Sequence, residues 1–433
     1  MTRTPERWHV NIAEKTPPTG RHAAVLACAS LLVALLALPA CAPKERAGAA
    51  PGATAGDATT EPSTPPPGPA ARPPGLPTAT SANIAELNLD FSIAQGRNFI
   101  SQQPAAAEAA RGLIGVLLLR ARNRNTFEDF DEALGVARNI TARNPQDPIS
   151  WLALASVQVA LHEFTAARAT LAKAIAAGAL ATDLAAQDGA LDIAMGDAAR
   201  ALPALAAAAK QQPSYGTHSA YAIALQELRR VQQADAAYAA ALASYDDVSP
   251  YAIAWLFFQR GVLWTDANPA TARSHYETAL TYLPNHITTN VHLAELEHAA
   301  GDTAKALTRM KRIAPLSNDP EPMGLLAELL IAAGEAEAAQ PWLQKARSGY
   351  AALLKSHRRA FVDHAAEFNM GVGADPAQGL LLAEENLRNR HTRRAYGIAI
   401  DAATAAGETA RACALNRAAQ QAGFTFPAGA CAG

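Results

Sequence analysis

Seven alanines stand at positions 133, 167, 201, 234, 272, 306 and 339, with successive spacings of 34, 34, 33, 38, 34 and 33 residues. A recurrence of this length means an array of one supersecondary unit, stacked copy on copy, rather than a chain collapsed around one irregular core. Most of these alanines open a small–large–small pattern: Ala167, Leu171, Ala174; Ala201, Leu205, Ala208; Ala234, Tyr238, Ala241; Ala272, Tyr276, Ala279; Ala339, Leu343, Ala346. Ala306, Met310, Ile313 is a looser copy. Offsets of four and three put each set on one face of a helix. The small residues let a neighbouring helix approach, and the large one fills the space between.

The joints between helices repeat as well. "AMGDAARA" (194–201), "AAGDTAKA" (299–306), "AAGEAEAA" (332–339) and "AAGETARA" (405–412) each carry a Gly, an acid immediately after it, and an Ala five residues on. The Gly suits a left-handed helix C-terminus, where a Cβ is penalised. The acid suits the positive end of the next helix. Pro145, Pro213 and Pro284 each fall 12 residues after a repeating Ala, where the second helix of a unit must stop. No alternating strand pattern occurs from about residue 84 onward, so the expected class is all-α.

These patterns resemble the tetratricopeptide repeat (TPR), a family of stacked antiparallel helix pairs. Trp151, Leu154 and Ala155 match the large, large and small positions of its first helix, and Leu293–Ala294 and Leu326–Ala327 repeat them. The resemblance implies an α-solenoid over about 120–420, with an array at 126–350, a helical cap or degenerate repeat at 81–125, and divergent repeats with a capping tail at 351–433. The 250–284 unit carries a longer first helix, Pro376 stands where Ala is expected, and Asn416 where a large apolar residue is expected. The family binds peptides or partner helices on a concave face built from first helices. Carried over, that face comprises Gln226, Trp255, Phe258, Glu295, His298 and Glu328. These are acidic or aromatic, so a chaperone-type carboxylate clamp, which needs Lys, Arg or Asn, is not expected.

The N-terminal 40 residues read differently. Arg3, Arg7, Lys15 and Arg21 precede an apolar run from Ala23 to Ala40 broken only by Ser30, the pattern of a signal peptide. Leu38-Pro39-Ala40-Cys41 resembles the lipobox of bacterial lipoproteins, which implies diacylglycerol on the Cys41 thiol and membrane attachment through it. The absence of Asp at Ala42 implies the outer membrane, facing the periplasm. A plain secretory cut and an uncleaved anchor are the alternatives. Residues 42–80, rich in Ala, Pro, Thr and Gly, form a tether too poor in apolar surface to fold. It spans roughly 35 Å as a coil and about 120 Å if PPII-like.

Composition narrows the chemistry. A net charge of −2 with 18% charged residues argues against nucleic acid as a partner. No HExxH or CxxC zinc pattern, Gly-rich phosphate loop or GxSxG elbow occurs, so neither an enzyme nor a cofactor is expected. His292, Glu295 and His298, and again His357, Asp363, His364 and Glu367, have spacings that fit a metal, but solvated or packed helix faces explain them more simply, and no metal is expected. Trp255, Phe257, Phe258 and Trp264 form the densest aromatic cluster, either packed between helices or anchoring a partner. With Cys28 in the apolar run and Cys41 lipidated, Cys413 and Cys431 are each other's only intramolecular choice. A disulfide between them is expected in an oxidising compartment, the alternative being two free thiols. The function expected is a non-enzymatic protein–protein scaffold for an envelope, pilus or secretion assembly. The alternatives are a periplasmic peptide- or solute-binding module and an accessory subunit of an enzyme complex.

Overall fold

The computed structural model describes residues 75–427, the side chains at 181–183 excepted. The signal-peptide and lipidation readings, Cys41, most of the tether and Cys431 therefore lie outside the described residues. Among those described there are nineteen α-helices and no strand. An extra helix, α1 (Ala82–Gln102), precedes nine antiparallel pairs. The first four pairs are α2 (Ala107–Arg124) with α3 (Glu128–Arg143), α4 (Pro148–Ala160) with α5 (Phe164–Ala176), α6 (Ala181–Met195) with α7 (Ala198–Gln211), and α8 (Tyr215–Glu227) with α9 (Val231–Ala243). The next three are α10 (Pro250–Trp264) with α11 (Pro269–Tyr282), α12 (Ile287–Ala299) with α13 (Thr303–Ile313), and α14 (Pro320–Ala332) with α15 (Ala336–Ser356). The last two are α16 (Arg358–Met370) with α17 (Pro376–Asn389), and α18 (Arg393–Ala405) with α19 (Thr409–Gln421). No described helix is long and apolar enough to cross a membrane.

The hinge glycines take the conformation their pattern demands. Gly196, Gly301, Gly334 and Gly407 have φ of +106°, +88°, +81° and +76°. The acid after each is the N-cap of the next helix, and its N–H reaches back across the turn, as from Asp302 to the Glu297 carbonyl at 2.9 Å. This is a Schellman closure, which satisfies carbonyls at the helix end. The same closure occurs without glycine at His162 (φ +55°) and Arg229 (φ +58°). Glycine thus marks only some of the joints.

The small–large–small faces are the core. Ala167, Ala174, Ala234, Tyr238, Ala241, Ala272, Tyr276, Ala306, Met310, Ala339 and Ala346 are buried. In α7 the last small position falls on Ala209, one residue beyond the expected Ala208, in the helix that contains Pro203. α10 has 15 residues, as α6 does, where α4, α8, α12 and α14 have 13, so its length does not set it apart from the other first helices. Pro376 does not stand at a packing position but opens α17, where its missing N–H has no helical partner to lose. The first small contact of that helix is Gly379. Asn416 is buried, its Nδ2 donating to the Pro427 carbonyl at 3.2 Å. Cys413, on α19, is disulfide-bonded.

The array does not stay open. Apolar side chains of α1–α4 join Tyr251, Ile253, Ala254, Phe257, Ala279 and Tyr282 of α10 and α11 in one cluster, so the N-terminal helices do more than cap an end. Thr80 N–H donates to the Val248 carbonyl at 2.8 Å, and Tyr282 Oη to the Pro77 carbonyl at 2.9 Å. A second seam joins α2–α6 to α14–α18. There Asn125 Nδ2 donates to Asp319, the Phe127 and Phe361 rings meet edge-on at 4.7 Å, and His357 Nε2 lies 3.3 Å from Asp131. Asn389 Nδ2 donates to the His162 carbonyl at 3.1 Å, and His391 N–H to the Met195 carbonyl at 2.9 Å. The solenoid therefore closes on itself, with its first helices facing inward.

Gly261 shows how tight the crossings are. A Cβ there would lie 2.3 Å from the Tyr276 ring, whereas at Gly135 it would meet nothing within 4 Å. Gly261→Ala should destabilise by about 1–3 kcal/mol through overpacking. Gly135→Ala, in the exposed interior of α3, should stabilise by about 0.5–1 kcal/mol. Chemical denaturation of the two variants checks both signs.

Candidate functional site

Closure turns the concave face into an interior. Two adjoining cavities occupy it, with empty volumes of about 1040 Å³ and 820 Å³, mouths included. Glu321, Tyr350 and His364 line both. The larger draws its walls from α2, α10, α14 and α16 and the turns beside them, including Arg122, His162, Trp255, Phe258 and Gln259. The smaller lies between α12, α14, α16 and α18 and includes His292, Glu295, Glu328, Glu367 and Arg394.

Four of the six positions expected on the concave face border these cavities: Trp255 and Phe258 the larger, Glu295 and Glu328 the smaller. Gln226 and His298 border neither. Gln226 is buried and accepts from Tyr238 Oη at 2.9 Å, while His298 Nδ1 pairs with Thr303 Oγ1 at 2.9 Å near the end of α12. The aromatic cluster divides in the same way. Phe258 is buried yet edges the cavity, Phe257 stacks on Tyr282, and Trp264 Nε1 donates to Asp235. The His-rich spacings are split too. His292 Nδ1 lies 3.4 Å from Glu295, but His357 turns to the α3 seam, away from Asp363 and His364. Among the described residues no group of three or more His, Cys, Asp or Glu can hold a metal ion.

An ionic network borders the smaller cavity and extends beyond it. His364 Nδ1 lies 3.3 Å from Glu321, Arg394 pairs with Glu367 at 2.6 Å, and Arg390 with Asp363 at 3.2 Å. Burial alone would discharge His364, but Asp363 and Glu321 outweigh it and raise its pKa to about 10. Burial likewise opposes the charge on Asp363, and His364, Arg390 and Arg394 prevail and hold its carboxyl well below the usual range. At Glu295, Arg394 pulls the pKa down but is outweighed. Burial first, then Glu321, Glu367 and Glu328, push it up to about 8. About a third of its side chain (34%) remains open, so solvent moderates that push. His292 is buried and driven down to about 4, so its ring is neutral near pH 7.

Sequence reasoning passed over Arg122, His162, Gln259, Asp319, Glu321 and Arg394. Arg122 sits in "RARNRN", which reads as a solvated charge run. Gln259 did leave a signal, as one amide inside the apolar "AWLFFQRGVLW". Asp319 and Glu321 lie at the start of α14, where acids are ordinarily explained by the helix dipole.

No family model matches the chain, and no curated protein matches it. Among solved structures it is similar to the Cut9–Hcn1 hetero-tetramer of the APC/C, at 14% identity and a TM-score of 0.43, covering 59% of this chain and 49% of that one. It is also similar to YrrB, described as a TPR protein with an unusual peptide-binding site, at 16% identity and a TM-score of 0.27, covering 45% of this chain and 95% of that one. The chain thus spans about half the length of the first of these. By its own helix pairs, joints and buried faces, the fold is an all-α solenoid of the tetratricopeptide type.

The electrostatics give a pH test. An acid with a raised folded pKa favours its protonated form on folding, so its contribution falls as pH rises from the unfolded value near 4.5 to about 8. His364, also raised, stabilises fully below 6.5 and loses that contribution as pH rises through about 10. Stability should therefore decline across the alkaline range. Glu295→Gln removes one source of that decline. Its melting temperature should exceed wild type by about 1–3 °C at pH 9 and by less at pH 5, as read by calorimetry at both values.

Proposed function

We propose that this protein is a non-enzymatic protein-interaction scaffold, held by lipid at Cys41 on the periplasmic face of a bacterial outer membrane. There it would support an envelope, pilus or secretion assembly. The observation that carries the binding reading is the placement of Trp255 and Phe258 on one inward-facing cavity and of Glu295 and Glu328 on the cavity adjoining it. Aromatic side chains beside carboxylates suit an extended segment of a partner, with apolar anchors and basic or amide groups. The anchoring half rests on the basic segment, the apolar run and Leu38-Pro39-Ala40-Cys41.

A second reading is a solute-binding module. It is favoured by the seam itself, since a closed interior admits a small molecule more readily than a folded surface.

Three measurements separate these readings. Cys41→Ala should move the protein from the membrane fraction to the soluble periplasmic fraction, because lipid then supplies the whole anchor; a variant that stays on the membrane after signal cleavage overturns the lipid reading. Crosslinking in cells followed by pull-down should recover a protein partner. Trp255→Ala and Phe258→Ala should each weaken that complex by about 1 kcal/mol or more. Wild-type binding by both folded variants would place the partner elsewhere.

A further inference from the structure

The larger cavity gathers polar groups that the protein leaves unused. Arg122 Nε and Nη2, His162 Nε2, Tyr251 Oη and both side-chain atoms of Gln259 are shielded from solvent and have no hydrogen-bond partner. All four residues line this one cavity. Gln259 is fully buried, and His162 and Tyr251 are 3% and 7% exposed. Unpaired buried polar groups are rare in folded proteins, and four residues converging on one space point to something that occupies it.

The chemistry of each group restricts the occupant. Arg122 is a donor only. Burial alone lowers its pKa, to about 10, so at neutral pH it remains a cation, and it has no ion-pair partner. Of the acids on this wall, Glu321 is paired with His364 at 3.3 Å, and Asp319, raised by burial and by Glu321, accepts a hydrogen bond from the neutral Asn125 amide. His162 Nδ1 lies 3.2 Å from the Arg359 carbonyl, which only accepts, so Nδ1 carries the proton. Burial keeps the ring neutral. Nε2 is then a bare acceptor that needs a donor from the occupant. Tyr251 Oη and the Gln259 amide can each give or take a hydrogen bond. Trp255 and Phe258 supply apolar wall on the same space.

We propose that this cavity binds a small organic monocarboxylate with an apolar body and one further O–H or N–H group. The carboxylate sits on the Arg122 fork, whose planar donors fit it. The body lies against Trp255 and Phe258, and the O–H or N–H donates to His162 Nε2. One unpaired cation in an apolar-walled space selects a single negative charge over a phosphate dianion. This inference deepens the solute-binding reading and is independent of any protein partner.

Titration calorimetry on the full chain, with 3-phenyllactate, its neutral amide and 3-phenylpropionate, tests it. The phenyllactate should bind, the amide at least roughly 10-fold more weakly, and the phenylpropionate, which lacks the hydroxyl, at an intermediate level. Arg122→Gln should weaken phenyllactate roughly 10- to 100-fold while raising the melting temperature of the empty protein, because an unpaired, half-buried charge has gone. If that variant fails to fold, Arg122→Lys must weaken the acid and leave the amide unchanged. Equal affinity for acid and amide, or an unchanged affinity in Arg122→Gln, overturns the carboxylate assignment while the solute-binding reading survives. No binding of any probe at millimolar concentration overturns the inference and, for apolar acids of this size, that reading too.

Discussion

A helix that offers alanine at a crossing lets the neighbouring backbone come closer than one that offers leucine, and here the crossing alanines recur along the array. Ala167, Ala234, Ala272, Ala306 and Ala339 are wholly buried. Side chains without volume or rotamers to adjust make each pair dock on the last in nearly the same way. Repeating one docking adds one small rotation each time, and the sum is a superhelix. The longest spacing between these alanines, 38 residues, falls at the unit of α10 and α11. That unit also supplies Tyr251, Phe257 and Tyr282, on which the N-terminal helices pack. It is thus here that the array receives its own beginning.

Closure has an electrostatic consequence. First helices of a solenoid ordinarily carry polar residues because they face water. Once α14–α18 return to α2–α6, those residues are enclosed, and the charged form of each requires a partner. His364 and Arg394 meet this need for Glu321 and Glu367. His292 and His286 meet it by staying neutral, burial lowering both to about 4. Glu295 holds its proton toward about pH 8. Arg122 cannot shed its charge near neutral pH, which is why it stands apart from the rest.

The solenoid, its joints at Gly196, Gly301, Gly334 and Gly407, and its buried faces were legible in the sequence because each rests on contacts within a unit or between adjacent units. Offsets of three, four and 34 residues encode such contacts directly. The joints at His162 and Arg229 were not legible, since nothing local marks a non-glycine residue that tertiary packing holds in the left-handed region. The seam was invisible for a stronger reason. Asn125 meets Asp319 and Phe127 meets Phe361 only after small rotations have accumulated over some two hundred residues. No short spacing records that sum. Hence Trp255 and Glu295 could be placed on the inner face from their helix positions, whereas Arg122 and His162 acquire their setting from partners far along the chain.

The seam also decides what can reach the inner face. Its links lie largely in turns: Asn125, Phe127, His162 and Met195 on one side, Asp319, Arg359 and His391 on the other. They are hydrogen bonds, the His357–Asp131 contact and an edge-on ring pair, unlike the continuous apolar faces between successive pairs. Stability in a solenoid is a sum of local units and neighbour interfaces, so parting the seam leaves each of those interfaces intact. The apolar cluster that ties α1–α4 to α10 and α11 would still hold the N-terminal helices in place. A small molecule can use the mouths of the closed form, whereas a protein segment touching both Trp255 and Glu328 would have to run through the two adjoining cavities. If this interior binds as proposed, its closure favours small or extended occupants over folded ones.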